Sequence, residues 1–192
     1  MFLISATSCL PAASASAAVT ALWRTNAVDN VYVSHSAPSL VNHDIIDRMF
    51  GNMPGMSDIS QPSAAVAAMM ASDQASRALG IELLECEPGR ALATMTVRED
   101  MANGYAIAHG GVVFTLADTA FACACNGHGA VTVAAAADIV FVAPAHAGDV
   151  LVAEAVLRTR FGRAGLYDVT VCRGEDVIAE FRGRSHQLGP VS

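Results

Sequence analysis

The feature that most constrains the fold of this chain is a long apolar segment, residues 110–126, whose length suits a helix. Its Val, Phe, Leu, Ala and Cys side chains cover every side of a helical projection, which predicts a helix buried on all sides. Four long strand-like segments follow, separated by short turns: residues 131–142, 149–161, 166–173 and 177–187. One buried helix and four strands predict an α+β architecture in which a curved antiparallel sheet wraps around the helix. The short connections further predict that consecutive strands pair as a meander.

The part of the chain before this helix is predicted to contain one more helix and two more strands. Residues 63–79 are rich in Ala and indicate a surface helix, with Ser63 as its N-cap and Gly80 just after its C-terminus. Two strand-like segments then flank a Pro-Gly turn: residues 81–87 and 91–98.

Residues 1–60 show no clean periodicity, and three interpretations of them compete. The short apolar run at the start resembles an export signal, but it lacks a basic region because the first Arg is Arg24. A disordered tail, or upstream sequence read from an early start codon, fits better, since the organised part begins after Met49, Met53 and Met56. We therefore expect residues 1–60 to be an N-terminal extension and residues 61–192 to form one domain.

Charge and hydropathy restrict the class of partner. The chain carries a formal net charge of -7, and all 11 of its basic residues are Arg. Because nucleic-acid binding relies on a basic surface, this charge disfavours nucleic acid as a partner. No stretch reaches the ~18 to 20 apolar residues of a membrane span, so no membrane contact is predicted.

The five cysteines predict neither disulfides nor a metal site. Their odd number and irregular spacing are typical of reduced thiols, which indicates a cytoplasmic protein. Cys123 and Cys125, followed by His128, resemble a metal-binding pattern. On a helix, however, residues two apart point about 200° away from each other and cannot share one tetrahedral ion. We interpret both as small buried side chains and expect no metal.

Asp118 is the first candidate for chemistry, because it lies within the apolar helix, where a carboxylate is costly unless it is paired or useful. In a structural role it would bond a neighbouring backbone group or an Arg. In a functional role, partial desolvation would raise its basicity or nucleophilicity.

His109, Gly110 and Gly111 open the same helix and are the second candidate. The first N–H groups of a helix have no intrahelical partner and carry the positive end of its dipole, so they can stabilise a carbonyl oxygen that gains negative charge. The alternative is a tight turn that needs Gly for backbone reasons. Asn103, in an Asn-Gly pair, either orients a bound carbonyl or water or forms an ordinary turn. His109 likewise either orients the carbonyl or only caps the helix.

The spacing of these residues has a consequence for assembly. Gly110 and Asp118 are eight residues apart, or about 12 Å along a helix axis. Groups that act on one carbonyl carbon must lie within ~3 to 3.5 Å of it. If both act on one substrate, Asp118 must therefore work with Gly110 of another copy, and each dimer has two active sites.

The pattern Asn-x6-Gly-x7-Asp, formed by Asn103, Gly110 and Asp118, resembles the hotdog-fold thioesterases. The resemblance runs from about residue 64 to 189, through the segments VAAAADIVFVAPAHAGDVL, GRAGLYDVTV and AEFRGRSHQLG. The last of these makes the chain most similar to the branch of the family that hydrolyses hydroxyphenylacetyl-CoA in bacterial phenylacetate degradation. Residues 1–60 have no counterpart in it.

The resemblance implies a sheet around a central helix, dimers paired into tetramers, and no cofactor, since CoA is part of the substrate. It implies that the Gly110 N–H polarises the thioester carbonyl, that Asp118 of the partner subunit attacks it or activates water, and that Asn103 and His109 position the carbonyl or water. Some relatives have a Ser or Thr one turn beyond the carboxylate, where this chain has Ala122.

Arginines around a predicted hairpin are candidates for the CoA phosphates, since guanidinium suits phosphate. Arg160 and Arg163 are the first choice, and Arg182 and Arg184 the second. A solvated hairpin edge is the alternative interpretation.

Two other functions compete with thioester hydrolysis. A non-catalytic acyl-CoA-binding or sensing module would gain nothing from a buried carboxylate near the thioester. A hotdog dehydratase or hydratase would need a paired His and carboxylate, and His109 and Asp118 are too far apart on one helix. The leading hypothesis is therefore hydrolysis of a small, aromatic acyl-CoA such as phenylacetyl-CoA or hydroxyphenylacetyl-CoA.

Overall fold

The structure of the protein is a computed structural model that describes residues 62–190. The interpretations of residues 1–60, and those of Cys9 and the three Met residues before residue 57, lie outside the described residues. In chain order the elements are α1 (Ala64–Ser72), α2 (Gln74–Leu79), β1 (Glu82–Glu87), β2 (Arg90–Thr96), a 3-10 turn (Glu99–Met101), α3 (Gly110–Asn126), β3 (Ala130–Phe141), β4 (Val150–Phe161), β5 (Ala164–Arg173) and β6 (Asp176–Pro190).

All six strands join one antiparallel sheet in the order β1-β2-β4-β5-β6-β3, with α3 packed against it. The expected α+β class is confirmed. The meander is correct for β4, β5 and β6, but it is wrong for β3. That strand pairs with β6, from Ala130 opposite Pro190 to Phe141 opposite Ala179, and leaves β4 to pair with β2.

The connection between β3 and β4 explains this error. It closes no hairpin, because its backbone is held by other segments: Ala108 N–H donates to the Ala145 carbonyl at 2.7 Å, and Gly148 N–H to the Val97 carbonyl at 2.8 Å. The chain therefore crosses from one sheet edge to the interior within residues 142–149.

The predicted helix 63–79 is two helices. Ser63 caps α1 and Gly80 ends α2 in the left-handed region at φ 70°, both as expected. Between them Asp73 takes an extended backbone with ψ 97°, which ends α1, and its side chain accepts a hydrogen bond from Ser76 N–H to start α2. Asp competes with helix continuation by bonding the backbone in this way.

An aromatic cluster fastens α3 to the sheet. Phe121 packs edge-on against Tyr167, with ring centroids 5.3 Å apart, and against Phe181 at 5.8 Å. The ring of Phe121 lies so close to Gly183 of β6 that a Cβ there would stand 2.7 Å from its Cε2 atom. Only Gly allows this approach of helix and strand.

The predicted burial of α3 on all sides is wrong for the single chain. One face of the helix is incompletely covered: Gly111, Thr115, Asp118 and Ala122, at the spacing of one helical stripe. The rest of the helix is apolar and buried, including Leu116, Ala120 and Ala124. Within residues 62–190, no helix has both the length and the hydropathy to span a membrane.

Candidate active site

A compact loop brings Asn103 and His109 to the start of α3. Ala102 and Ala108 form an antiparallel bridge, and Asn103 N–H donates to the Ile107 carbonyl at 2.8 Å. The Asn103 side-chain oxygen accepts a hydrogen bond from Tyr105 N–H at 2.8 Å, which makes an Asx turn. Asn103 therefore has at least the turn role, while its side-chain NH2 group is still able to donate to a ligand.

His109 is the N-cap of α3. Its Nδ1 accepts a hydrogen bond from Gly111 N–H at 3.0 Å, so the neutral ring carries its proton on Nε2. The capping interpretation is thus observed. It leaves the Nε2–H of an exposed side chain able to donate to a carbonyl oxygen.

Gly110 is the first residue of α3, and its N–H donates to no acceptor in the described part of the chain. The Gly111 N–H, in contrast, is already used by His109. Phe141, at the end of β3, lies against Gly110. A Cβ added to Gly110 would stand only 2.9 Å from the Phe141 Cζ atom. The start of α3 thus combines one open N–H donor with an exposed aromatic ring.

Asp118 lies two turns further along α3 and is half-buried. Its carboxylate accepts no hydrogen bond and forms no ion pair with any of residues 62–190, so the bond to a backbone group or Arg expected of a structural role is not seen. Burial raises the pKa of Asp118 above its ordinary value, and the negative charge of Asp73 raises it further. A carboxylate in this state is a stronger base than one in water.

The structure brings Asn103, His109, Gly110 and Gly111 together and leaves Asp118 apart from them. Because α3 is regular from Gly110 to Asn126, the two proposed reacting groups of one chain stay about 12 Å apart along its axis. Within one chain they cannot act on the same carbonyl carbon.

The arginines lie at the other end of α3. Arg160 and Arg163 line a small polar cavity with Cys125, His128, Tyr167 and Ser185. The Arg163 side chain already donates to the backbone carbonyls of Gln187 and Leu188, whereas the Arg160 side chain forms no ion pair or hydrogen bond with residues 62–190.

The remaining arginines of this surface differ in their partners. Arg158 and Arg182 both bind the Asp168 carboxylate at 2.7 Å, so one negative charge is shared between the two guanidinium groups. Of the arginines nominated from the sequence, Arg160 is thus better able than Arg163 to bind a phosphate, and Arg184 is exposed on β6.

Cys123 and Cys125 are buried, as interpreted from their spacing, and burial raises the pKa of both thiols to about 12. The described residues contain no group of three or more His, Cys, Asp or Glu side chains placed to hold a metal ion.

Two residues near the site were not nominated from the sequence. Phe141 lies against Gly110 although the two are distant in sequence, and no local motif predicts this contact. Asp73 acts on Asp118 from the junction of α1 and α2. Its signal was present, since Asp is among the residues preferred at a helix N-cap.

Comparison with known proteins gives one family. The Thioesterase superfamily model matches residues 105–180. The chain is similar to the acyl-coenzyme A thioesterase PaaI of Escherichia coli (strain K12), with 44% identity over 123 residues that make up 64% of this chain and 88% of that protein. It is also 40% identical over 108 residues to a putative esterase of Deinococcus radiodurans, covering 55% of this chain and 73% of that protein.

Solved structures agree in fold. The E. coli PaaI protein from the phenylacetic acid degradation operon superposes with a TM-score of 0.65 at 42% identity, over 66% of this chain and 93% of that one. A single-residue mutant of the phenylacetic acid degradation protein PaaI from Thermus thermophilus has a TM-score of 0.59 at 34% identity, over 60% of this chain and 100% of that one.

Proposed function

The chain belongs to the thioesterase superfamily and is an acyl-CoA thioesterase with the hotdog fold, and from this premise we propose that it hydrolyses arylacetyl-CoA thioesters at a site shared by two subunits. Phenylacetyl-CoA and its ring-hydroxylated forms are the proposed substrates. Support for this choice comes from the PaaI relatives, whose names place them in phenylacetic acid degradation.

One observation carries the proposed mechanism: the same helix has an N–H without an acceptor at Gly110 and a half-buried carboxylate without a hydrogen-bond donor at Asp118. The Gly110 N–H donates to the thioester carbonyl oxygen and stabilises the negative charge that develops on it. The helix dipole adds to this stabilisation, because the oxygen lies at the N-terminus of α3.

Asp118 of the partner subunit supplies the second function, in one of two ways. As a general base it takes a proton from water, the water oxygen bonds to the carbonyl carbon, and the carbon–sulfur bond breaks. The CoA thiolate then recovers the proton from Asp118. As a nucleophile, Asp118 bonds to the carbonyl carbon itself, CoA leaves, and water hydrolyses the resulting anhydride. Its raised pKa favours either route, because it makes the carboxylate more basic.

The shared site requires a dimer, and α3 offers a surface for one. Its incompletely covered face consists of small side chains and Asp118: Gly111, Thr115, Asp118 and Ala122. If the same face of a second copy packs here in antiparallel fashion, each Asp118 moves toward the other copy's Gly110. We propose a homodimer as the catalytic unit and a pair of dimers as the complete protein.

The other assignments are secondary. Asn103 and the His109 Nε2–H are proposed to position the carbonyl or water, and Arg160 to bind a CoA phosphate. The Gly111 N–H supports the site by fixing His109. No step of the proposed reaction needs a metal or a separate cofactor. A cytoplasmic location stays a prediction.

Hydrolysis is tested by detecting free thiol from a panel of phenylacetyl-, hydroxyphenylacetyl-, benzoyl- and medium-chain acyl-CoA. We expect the arylacetyl thioesters to turn over fastest.

Asp118→Asn should lower kcat by at least ~100-fold in a folded, assembled protein, as loss of a general base does. Glu175→Gln, which neutralises an exposed carboxylate on the β5–β6 turn, is the matched control and should leave kcat unchanged.

The outcomes separate the competing functions. Near-normal turnover of Asp118→Asn would remove the proposed mechanism. Tight binding of acyl-CoA with no released thiol would favour the sensing module instead.

A further inference from the structure

The junction of α1 and α2 carries a buried polar network that the proposed mechanism does not use. Asp73 accepts two hydrogen bonds from Ser76, from the backbone N–H to Oδ1 at 3.0 Å and from the hydroxyl to Oδ2 at 2.6 Å. The Ser76 hydroxyl also lies 2.9 Å from the Thr119 hydroxyl of α3. Both hydroxyl residues are buried, Ser76 with 2% and Thr119 with 6% of their surface exposed. This network joins the N-terminal helices to the residue next to Asp118.

The direction of the network follows from hydrogen-bonding capacity. Burial alone would raise the pKa of Asp73, but the hydrogen bonds from Ser76 and the charge of Arg77 together hold it below its ordinary value. Asp73 is therefore a carboxylate, which only accepts. Ser76 has one hydroxyl proton and gives it to Asp73, so Thr119 must donate to Ser76.

We propose that Asp73 is a positioning residue for the catalytic carboxylate: it fastens the α1–α2 segment to α3 beside Asp118 and holds a second negative charge close to that side chain. This inference rests on the proposed function of Asp118.

The two carboxylates are held in different states by their surroundings. Asp73 has hydrogen-bond donors and Arg77, so it ionises readily. Asp118 has no donor among the described residues, and after burial the charge of Asp73 is what raises its pKa. When two carboxylates interact, the proton goes to the one with fewer hydrogen-bond donors and less solvent around it. Asp118 is therefore the more basic carboxylate of the two.

Other titratable groups around Asp118 do not share this role. On its own helix the thiols of Cys123 and Cys125 are neutral, since burial raises the pKa of each to about 12. Burial also raises the pKa of the Cys86 thiol on β1, which lies near Cys123. Arg77 on α2 acts on Asp73.

The inference predicts a displaced pH profile. Asp118 must be ionised to act, and the Asp73 charge raises the pH at which it ionises. Asp73→Asn removes the charge and keeps one oxygen, which accepts the capping hydrogen bond from the Ser76 N–H. Its NH2 group takes the place of the second oxygen and donates to the Ser76 hydroxyl. In this variant the acid limb of the kcat profile should move to lower pH. The plateau of kcat should fall several-fold, because a weaker base transfers protons less effectively.

Ser76→Ala is the matched variant. It removes the hydroxyl link to Thr119 and keeps the Asp73 charge. We expect its acid limb to stay at the pH of the unmodified protein, while its melting temperature falls because α1 and α2 are less firmly held. An acid limb displaced equally in both variants would reduce Asp73 to a structural role and overturn the proposal.

A titration that is independent of activity completes the test. Carbon NMR of the side-chain carboxyl groups, with the Asp118 resonance assigned by its loss in Asp118→Asn, should show that resonance titrating at lower pH in Asp73→Asn. An unchanged titration contradicts the inference whether or not Asp118 proves catalytic, so its failure is distinct from failure of the proposed function. If Asp73→Asn does not fold, Asp73→Ser replaces it, since Ser also caps a helix and carries no charge.

Discussion

The two edge strands of the sheet, β1 and β3, are built in opposite ways. β1 has six residues, ELLECE, and three of them are Glu. β3 has 12 residues, AVTVAAAADIVF, with Asp138 as its one charged residue. Charged and short edges discourage pairing with a further strand, whereas a long apolar edge invites it. β1 is thus protected, and β3 is not.

Exposure of the apolar side chains of β3 points the same way. Val133, Val140 and Phe141 are exposed by 43%, 62% and 50% in the single chain, which is costly for a sheet edge in water. A second copy pairing along β3 would cover them. α3, the element immediately before β3, is the helix with the incompletely covered face of Gly111, Thr115, Asp118 and Ala122. The difference between the edges therefore indicates where the proposed dimer forms.

The largest expected effect comes from placing a charge on β3. Ala135 is the bulged residue near the middle of that strand, with no partner on β6. In a two-fold antiparallel pair the strand centres meet, so Ala135→Glu brings two negative charges together. We expect dissociation in analytical ultracentrifugation and a loss of thiol-releasing activity of about 1000-fold or more, because each lone subunit has half of each site.

Leu84→Glu on β1 is the control for this prediction, since Leu84 is the bulged residue of the other edge. It should keep both the assembly and the activity. A β3 variant that dissociates and remains fully active would show that one chain contains a complete site.

The second prediction concerns the open N–H of Gly110. Proline is tolerated as the first residue of a helix, and His109, with φ -62° and ψ 131°, already has the backbone that a residue before proline requires. Gly110→Pro therefore deletes the N–H with little change in fold. We expect kcat to fall about 100- to 1000-fold, the usual cost of one oxyanion donor.

Gly110→Ala separates the N–H from the added bulk. Both variants place a Cβ against the exposed Phe141 ring, but the Ala variant keeps its N–H. Its kcat should fall far less than that of the Pro variant. Equal losses would assign the effect to crowding by Phe141 rather than to the oxyanion.

Local patterns in the sequence were sufficient to predict the six strands, the central helix and its first residues. They failed where the determinant is tertiary. The position of β3 depends on backbone bonds from Ala108 and Val97, which are distant in sequence. Asp73 ends α1 and caps α2. The Ala-rich sequence around it favours an unbroken helix, so the pattern alone did not predict the break.

The site shows the same division. Gly110 and Asp118 were recognisable because a Gly pair and a carboxylate are unusual in an apolar helix, and their separation follows from helix geometry alone. Phe141 and Asp73 were not recognisable as site residues, since each reaches the site from another element, although Asp73 had the signal of a helix N-cap. The incompletely covered face of α3 was missed for another reason. Small and apolar side chains give a helix the same hydrophobic pattern whether they are covered by their own chain or by a partner.

The third prediction tests directly whether sites cross between subunits. Asp118→Asn and Gly110→Pro, each inactive, are mixed in equal amounts under conditions that exchange subunits. If pairing is random, half of the dimers are hybrids, and each hybrid has one site with both groups intact. About a quarter of the unmodified activity should return. Hybrids that form, as shown by mass spectrometry of two tagged variants, yet release no thiol would refute a shared site.

The smallest effect is expected away from both edges, at the arginines of the β4–β5 hairpin. Arg160, which forms no ion pair in residues 62–190, is proposed to meet a CoA phosphate, whereas Arg158 is bound to Asp168. Exposed ion pairs contribute little, so Arg160→Ala should raise the KM for acyl-CoA by only about three- to fivefold. The KM for the matching acyl-pantetheine, which lacks the nucleotide phosphates, should not change, and Arg158→Ala should alter neither value. An equal rise in KM for both thioesters would mean that Arg160 acts on the shape of the site, and the phosphate contact would have to be sought elsewhere on the dimer.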